Sequence, residues 1–224
     1  MRRAPLLTAH GVVIDGGEGR MVGPIDWTIH RTQRIWLETG AQAEFHALSE
    51  LLSGRVRPVE GYLEELGRVR AQSDYHLRSS LSLNRSISDY LNSSDAPEFV
   101  WLENRRRSVQ VLLDRLGLTA KQMRLPLKFQ SEEVVAKFSA FRFITSRADL
   151  LIGSEIFRGT DLQVERVLRA RWADFPGVVI ACSEFSRLPG PVDAHVKIGS
   201  GGEFSSEPAG KPTGEAAPVE TVEE

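Results

Sequence analysis

Cysteine occurs once in the 224 residues, at Cys182. One thiol excludes an internal disulfide framework and fits a reducing compartment. It lies in the apolar run "GVVIAC", which reads as a buried, inert thiol rather than a nucleophile. Long apolar runs are also missing: none approaches the ~18 residues of a membrane-spanning helix. "MRRAPLL" is basic and then apolar, but the run stops at Thr8-Ala9-His10, too short for a secretory signal. An excess of one charge is lacking as well. The formal net charge is −2, so bulk charge argues for neither nucleic acid nor an anionic membrane surface as partner. No internal repeat is present. The expectation is a cytoplasmic protein that meets the inner face of the cell membrane only through a partner.

Hydrophobic residues make up 41% of the chain, enough for one domain with a real core and room for a subdomain. From Ser200 the sequence "SGGEFSSEPAGKPTGEAAPVETVEE" is rich in Gly, Pro, Ser and Glu. Its few apolar side chains cannot offset the entropy of ordering, so 200–224 reads as a disordered acidic tail. Before it, strands and helices alternate. "RIWLE" is a strand candidate. "AEFHALSELLSG" is a helix with Phe45, Leu48, Leu51 and Leu52 on one face and Gly54 as its stop. A polar, turn-rich stretch follows. "NRRRSVQVLLDRLGL" is a helix whose arginines at 105–107 form a solvated face. "SEEVVAKFSAFRFITS" is a helix with Ser131 as N-cap and acids in its first turn. "ADLLIG" is a short buried strand, "LQVERVLRARWADF" a helix, "GVVIAC" a strand and "AHVKIG" a last strand. Strands that are apolar throughout, separated by helices, indicate an α/β layer with a largely parallel sheet. The four tryptophans, Trp27, Trp36, Trp101 and Trp172, read as packing residues rather than a sugar-binding platform.

The order and spacing of these pieces resemble an ATP-binding cassette (ABC) nucleotide-binding domain, most of all the ATPases of capsule and O-antigen polysaccharide exporters. Four stretches carry the resemblance. "LSGRVRPVEG" stands where the family has a small residue, a glycine and then R-P-x-x-G. "AQSDYHL" keeps Gln72 at the Q-loop position. "LPLKFQSEE" stands at P-x-K-x-Y-S-S-G and keeps Pro126, Lys128 and Ser131. "ADLLIGSEIFRGTD" stands at the second nucleotide motif and keeps Glu155 and the D-loop Asp161. The resemblance implies a P-loop NTPase-like (RecA-like) α/β core over residues 1–199, with an N-terminal antiparallel β portion and a helical subdomain at about 80–145. It also implies Mg-ATP as cofactor, ATP hydrolysis as activity, and a dimer in which one phosphate loop faces the other subunit's signature.

The residues for that chemistry are missing. A phosphate loop G-x-x-x-x-G-K-[ST] needs glycines so that backbone N–H groups can wrap the phosphates, a lysine to bridge them and a hydroxyl to ligate Mg²⁺. The register here gives "TGAQAEFH". Thr39 and Glu44 replace the motif glycines, Phe45 the lysine and His46 the hydroxyl; Gly40 falls on an unrestricted position of the degenerate loop. A carboxylate ~4 Å from a phosphate oxygen costs on the order of 4 kcal/mol per unit charge at an effective dielectric near 20. Ser154 replaces the Mg²⁺-positioning aspartate. Glu132 and Glu133 follow signature Ser131 where backbone must approach the γ-phosphate. The switch histidine falls on Ser183, and the adenine-stacking aromatic near Ile14.

Glu155 reads as a vestigial structural carboxylate, because nothing holds a phosphate for it to act on. His46 with Glu155 offers two ligands, too few for a metal. The resulting reading is a pseudo-ATPase with no cofactor, partnered by an ABC-type ATPase or permease subunit. The alternatives are a divergent active ATPase powering polysaccharide export, and a stand-alone module binding another ligand in the old nucleotide cleft. The surface at Gln72–Leu77 and Trp101–Leu116, with Tyr75, His76 and Trp101, is the expected docking region. Changing Glu44, Phe45 and His46 back to Gly, Lys and Ser is expected to recover weak nucleotide binding.

Overall fold

The computed structural model describes residues 4–17, 19–39, 41–65, 67–73, 80–92, 111, 113–153, 164, 166–167, 169–170, 175–182 and 191–208. Two sheets organise them. Strands β1 (Pro5–Asp15), β2 (Met21–His30) and β4 (Glu60–Glu65) form an antiparallel sheet in the order β2-β1-β4. Strands β3 (Arg34–Thr39), β5 (Ala71–Ser73), β6 (Leu150–Gly153), β7 (Val178–Cys182), β8 (Ala194–Ile198) and β9 (Phe204–Pro208) form the second, in the order β5-β6-β7-β3-β8-β9. All its pairings are parallel except β8 with β9.

β3, β6 and β7 lie inside this sheet because they are largely apolar on both faces, whereas β8 buries Ala194, Val196 and Ile198 on one face and exposes His195 and Lys197 on the other. Ile35, Leu37, Leu150, Ile152, Val178 and Ile180 turn to one core, shared with the antiparallel sheet and helix α1 (Gln42–Leu52). Trp36, Leu151, Val179 and Ala181 turn to the other core, shared with the helices of 80–145. The period of two along a strand divides one apolar run between two layers. Trp27 and Trp36 are both buried in these cores.

The second core is closed by α2 (Ile87–Asn92), α3 (Ala120–Arg124), a 3₁₀ turn (Leu127–Phe129) and α4 (Glu132–Thr145). Residues 111 and 113–115 are also helical, as are 164, 166, 167, 169 and 170. Phe138 and Phe141 of α4 are fully buried, with Tyr90 of α2 against Phe138 at 5.6 Å between ring centroids. Helix starts are capped as their sequences ask. The Ser131 hydroxyl accepts from the Val134 N–H at α4, and Thr119 with Gln122 forms a reciprocal capping box at α3. At α2, Asp89 accepts from the Ser86 N–H at 2.8 Å and from its hydroxyl at 2.7 Å. These bonds, with Arg85 nearby, hold the Asp89 carboxyl below its ordinary range.

The amino end of the parallel sheet is tied together by a buried arginine. Arg34 is 8% exposed. Its Nη1 donates to the carbonyls of Gly177 at 2.8 Å, Thr32 at 3.1 Å and Gln33 at 3.3 Å. Its Nη2 donates to the carbonyl of Phe175. One guanidinium thereby joins the entry to β3 and the entry to β7.

Two sequence expectations need correction. "AHVKIG" is not the last strand, and the tail does not begin at Ser200. β9 follows, antiparallel to β8, from Ile198↔Phe204 to Ala194↔Pro208. It is ordered by pairing along β8 and by Phe204 against Trp27, 5.4 Å between ring centroids. Residues 209–224 lie outside the described residues. The polar segment after the R-P-x-x-G-like stretch is also a strand, β4, with only Leu63 half-buried. It is held by pairing with β1 rather than by its side chains.

Gly61 shows why that stretch needs its glycine. Its φ is +74, and a Cβ there would overlap the carbonyl oxygens of His10 and Gly11 on β1. Gly61→Ala therefore forces β4 off β1. It is expected to cost about 2 kcal/mol or more, read as a lower urea midpoint at unchanged slope.

Candidate functional site

The carboxyl end of β3 and the start of α1 are where the sequence resemblance places a phosphate loop. Strand β3 ends at Thr39 and α1 begins at Gln42, so only Gly40 and Ala41 connect them. In the register set by Thr39, positions 42–46 of the would-be loop are already helical. Helical N–H groups point along one axis and cannot wrap a polyphosphate as an extended glycine loop does.

The side chains follow from this early start. Glu44 is the third helical residue and is 1% exposed. The Thr39 hydroxyl donates to Glu44 Oε2 at 2.6 Å, while the Ala41 N–H donates to Thr39 Oγ1 at 3.2 Å. The N-cap residue, Ala41, offers no side-chain cap. The negative charge that favours the start of a helix comes instead from Glu44 inside the first turn. Where a phosphate loop presents its helix end to a bound anion, this chain supplies the anion itself.

Phe45 is 1% exposed and joins the core of Leu48, Leu51 and Leu52, facing away from the loop. Within α1, position 45 shares a face with 48 and 52 at spacings of three and seven residues. His46 is half-buried and meets Phe45 edge-on at 6.2 Å between ring centroids. The turn between β1 and β2 closes the region from above. A Cβ on Gly16 would lie 3.5 Å from Glu44 Cγ, and one on Gly17 would lie 3.5 Å from Ala43 Cβ. Sequence reasoning missed this contact, although "DGGEGR" between two strands is a turn signal.

The other expected positions divide into two groups. Gln72 is in β5, paired with Leu151, and half-buried. Ser131 is spent on capping α4, with Glu132 and Glu133 exposed behind it. Glu133 pairs with Lys137 at 2.6 Å, an i,i+4 contact along α4. Lys128 bonds Asn84 at 3.1 Å, and Pro126 bridges Ser86. The retained residues of the "LPLKFQS" stretch thus serve the packing of the helical layer. Gly40, Ser154, Glu155, Asp161 and Ser183 lie outside the described residues, as do Tyr75, His76, Leu77, Trp101, Trp172, the arginines at 105–107 and the side chain of Cys182.

Mg-ATP does not fit the residues present at this site. The glycine cradle is replaced by helix, the position of the bridging lysine faces the core, and a buried carboxylate stands in the first turn. Among the described residues no three His, Cys, Asp or Glu side chains converge on a common point. Among them, too, no helix is long and apolar enough to cross a membrane.

No protein-family model matches the sequence. No curated protein matches it either. Solved structures do share its fold. An ATP-binding subunit of an ABC transporter superposes with a TM-score of 0.72 at 14% identity, over 91% of this chain and 90% of that one. A metal-chelate type ABC transporter in an inward-facing conformation gives 0.66 at 14% identity, over 91% and 83%. A bacterial Atm1-family ABC exporter with ATP bound gives 0.70 at 12% identity, over 92% of this chain and 39% of that one. At such identities the likeness is one of fold: the chain has an ABC ATPase-like α/β architecture.

Proposed function

We propose that the chain is a catalytically degenerate ABC ATPase-like subunit, a non-hydrolysing structural or regulatory partner in a transport or export complex. The observation that carries this reading is the start of α1, with its two-residue connection and the buried Glu44 and Phe45. A chain with a cassette-like fold and no phosphate cradle keeps surfaces for other subunits and loses the chemistry. Polysaccharide export is the finer class proposed, on the resemblance of residues 126–131 to the exporter ATPases. The buried Phe45 speaks against a stand-alone module with an open cleft at this end of the sheet.

Two docked faces follow from a dimeric cassette arrangement. With an intact ATPase as partner, one nucleotide site would hold that partner's phosphate loop against Ser131, Glu132 and Glu133. Two carboxylates facing a γ-phosphate make that site unfavourable as well. The subunit would then hold geometry in the complex rather than share turnover.

The test is co-expression with the permease and ATPase subunits of a transporter from the same genome, followed by capture in detergent. The expected result is a stoichiometric complex whose yield does not change when ATP is withheld. A chain that is recovered alone, at monomer size, whichever subunits are offered, contradicts the proposal. ATP hydrolysis by the purified chain alone would establish the divergent active ATPase instead.

A further inference from the structure

The end of the molecule opposite Glu44 carries a basic cleft. It lies at the amino ends of the parallel strands, has a volume of about 490 Å³, and is lined by Arg31, Arg70 and Arg147 around Phe175, Pro176 and Gly177. Arg70 is engaged by Asp149, Nε to Oδ2 at 3.3 Å. Arg31 and Arg147 are exposed on the rim. Among the described residues, Asp149 itself and the carbonyl end of α4 at Ser146 oppose anion binding there. Arg31, Arg70 and Arg147 line the cleft alongside the carboxylate of Asp149, in a chain whose overall charge is negative.

Strand β9 finishes at this same end of the sheet. Because β9 runs antiparallel to β8, it starts beside Ile198 at the carboxyl end and finishes with Pro208 opposite Ala194 at the amino end. The sequence beyond it, 209–224, carries Glu215, Glu220, Glu223 and Glu224 against the single base Lys211. From β9 to β7 is three strand spacings, or about 14 Å at ~4.8 Å each. Seven residues separate Pro208 from Glu215, a reach of up to about 23 Å when extended.

We infer that the acidic segment 215–224 docks in the cleft of Arg31, Arg70 and Arg147 of its own chain. The cleft offers forked donors matched to carboxylates, and the direction of β9 delivers the carboxylates to it. Tethering keeps the local concentration of the segment high, so weak exposed ion pairs suffice. This contact lies at the opposite end of the sheet from Glu44, and it stands or falls independently of the proposed function.

The full-length chain with a photo-crosslinking residue at position 222, in place of Val222, tests it. Irradiation should give monomer-sized products joined to residues 31–32, 146–149 or 175–177. The yield should fall to background in 1 M salt, where the screening length is about 3 Å. It should also fall to background in Arg31→Glu with Arg147→Glu. Both residues are exposed, and an unchanged melting temperature would show that the variant is folded. Adding Glu220→Lys, Glu223→Lys and Glu224→Lys to that variant should restore the product. Cross-links to other segments, products only between two chains, or a yield unaffected by the arginine reversals would each overturn the inference.

Discussion

Titration of the purified chain with Mg-ATP is expected to give no saturable heat at millimolar concentrations. The buried Glu44 repels phosphate, and its Thr39 bond holds it in the first turn of α1. The fold alters what a repair would do. Glu44→Gly, Phe45→Lys and His46→Ser together supply the motif residues, and the sequence suggests that weak binding returns. The structure predicts that it does not. Position 45 faces a core of Leu48, Leu51 and Leu52, so a lysine introduced there would bury an ammonium group or expel it by disrupting α1. Losing a buried phenylalanine costs about 3–5 kcal/mol before any charge is counted. The expected outcome is a large loss of stability with no gain in affinity, read by calorimetric titration beside thermal melting. Micromolar ATP affinity in the wild type, or in a folded triple variant, would overturn the account of this site.

Arg34→Met should produce the largest loss of stability from a single polar side chain. The four carbonyls of Thr32, Gln33, Phe175 and Gly177 would lose a common charged donor in a site that water reaches poorly. Hydrogen bonds to charged groups contribute about 1.5–3 kcal/mol each, and their effects do not add within one network. A net cost on the order of 3 kcal/mol corresponds to a fall of roughly 6–12 °C in melting temperature for a chain of this size. Arg34→Lys should recover only part of it, because an ammonium group cannot span carbonyls on two strand entries. A Met variant that melts within about 2 °C of the wild type would show that the network carries little of the sheet's stability.

The sequence alone determined the strands and helices whose signal is local. β3, β6 and β7 are short, largely apolar runs between turn signals, and β8 shows the period-two alternation of a strand with one exposed face. α1 and α4 are legible from apolar spacing, and α4 also from Ser131, whose hydroxyl is three residues from the N–H it accepts. The residue types at positions 39–46, on which the proposed loss of the nucleotide cradle rests, are read from the sequence alone. Tertiary structure alone decided the features built from residues far apart in the chain. β9 reads as tail until Phe204 meets Trp27, and β4, with Leu63 its one half-buried side chain, is held by its pairing with β1. Phe45 was legible as part of the apolar face of α1, but which core that face joins, one shared with both sheets, is set by the tertiary structure. The basic cleft joins arginines at 31, 70 and 147, which no window on the sequence contains. A local pattern records what one segment can bury, whereas the partner that buries it, and the charges that meet across strand entries, are set by the order of strands in the sheet.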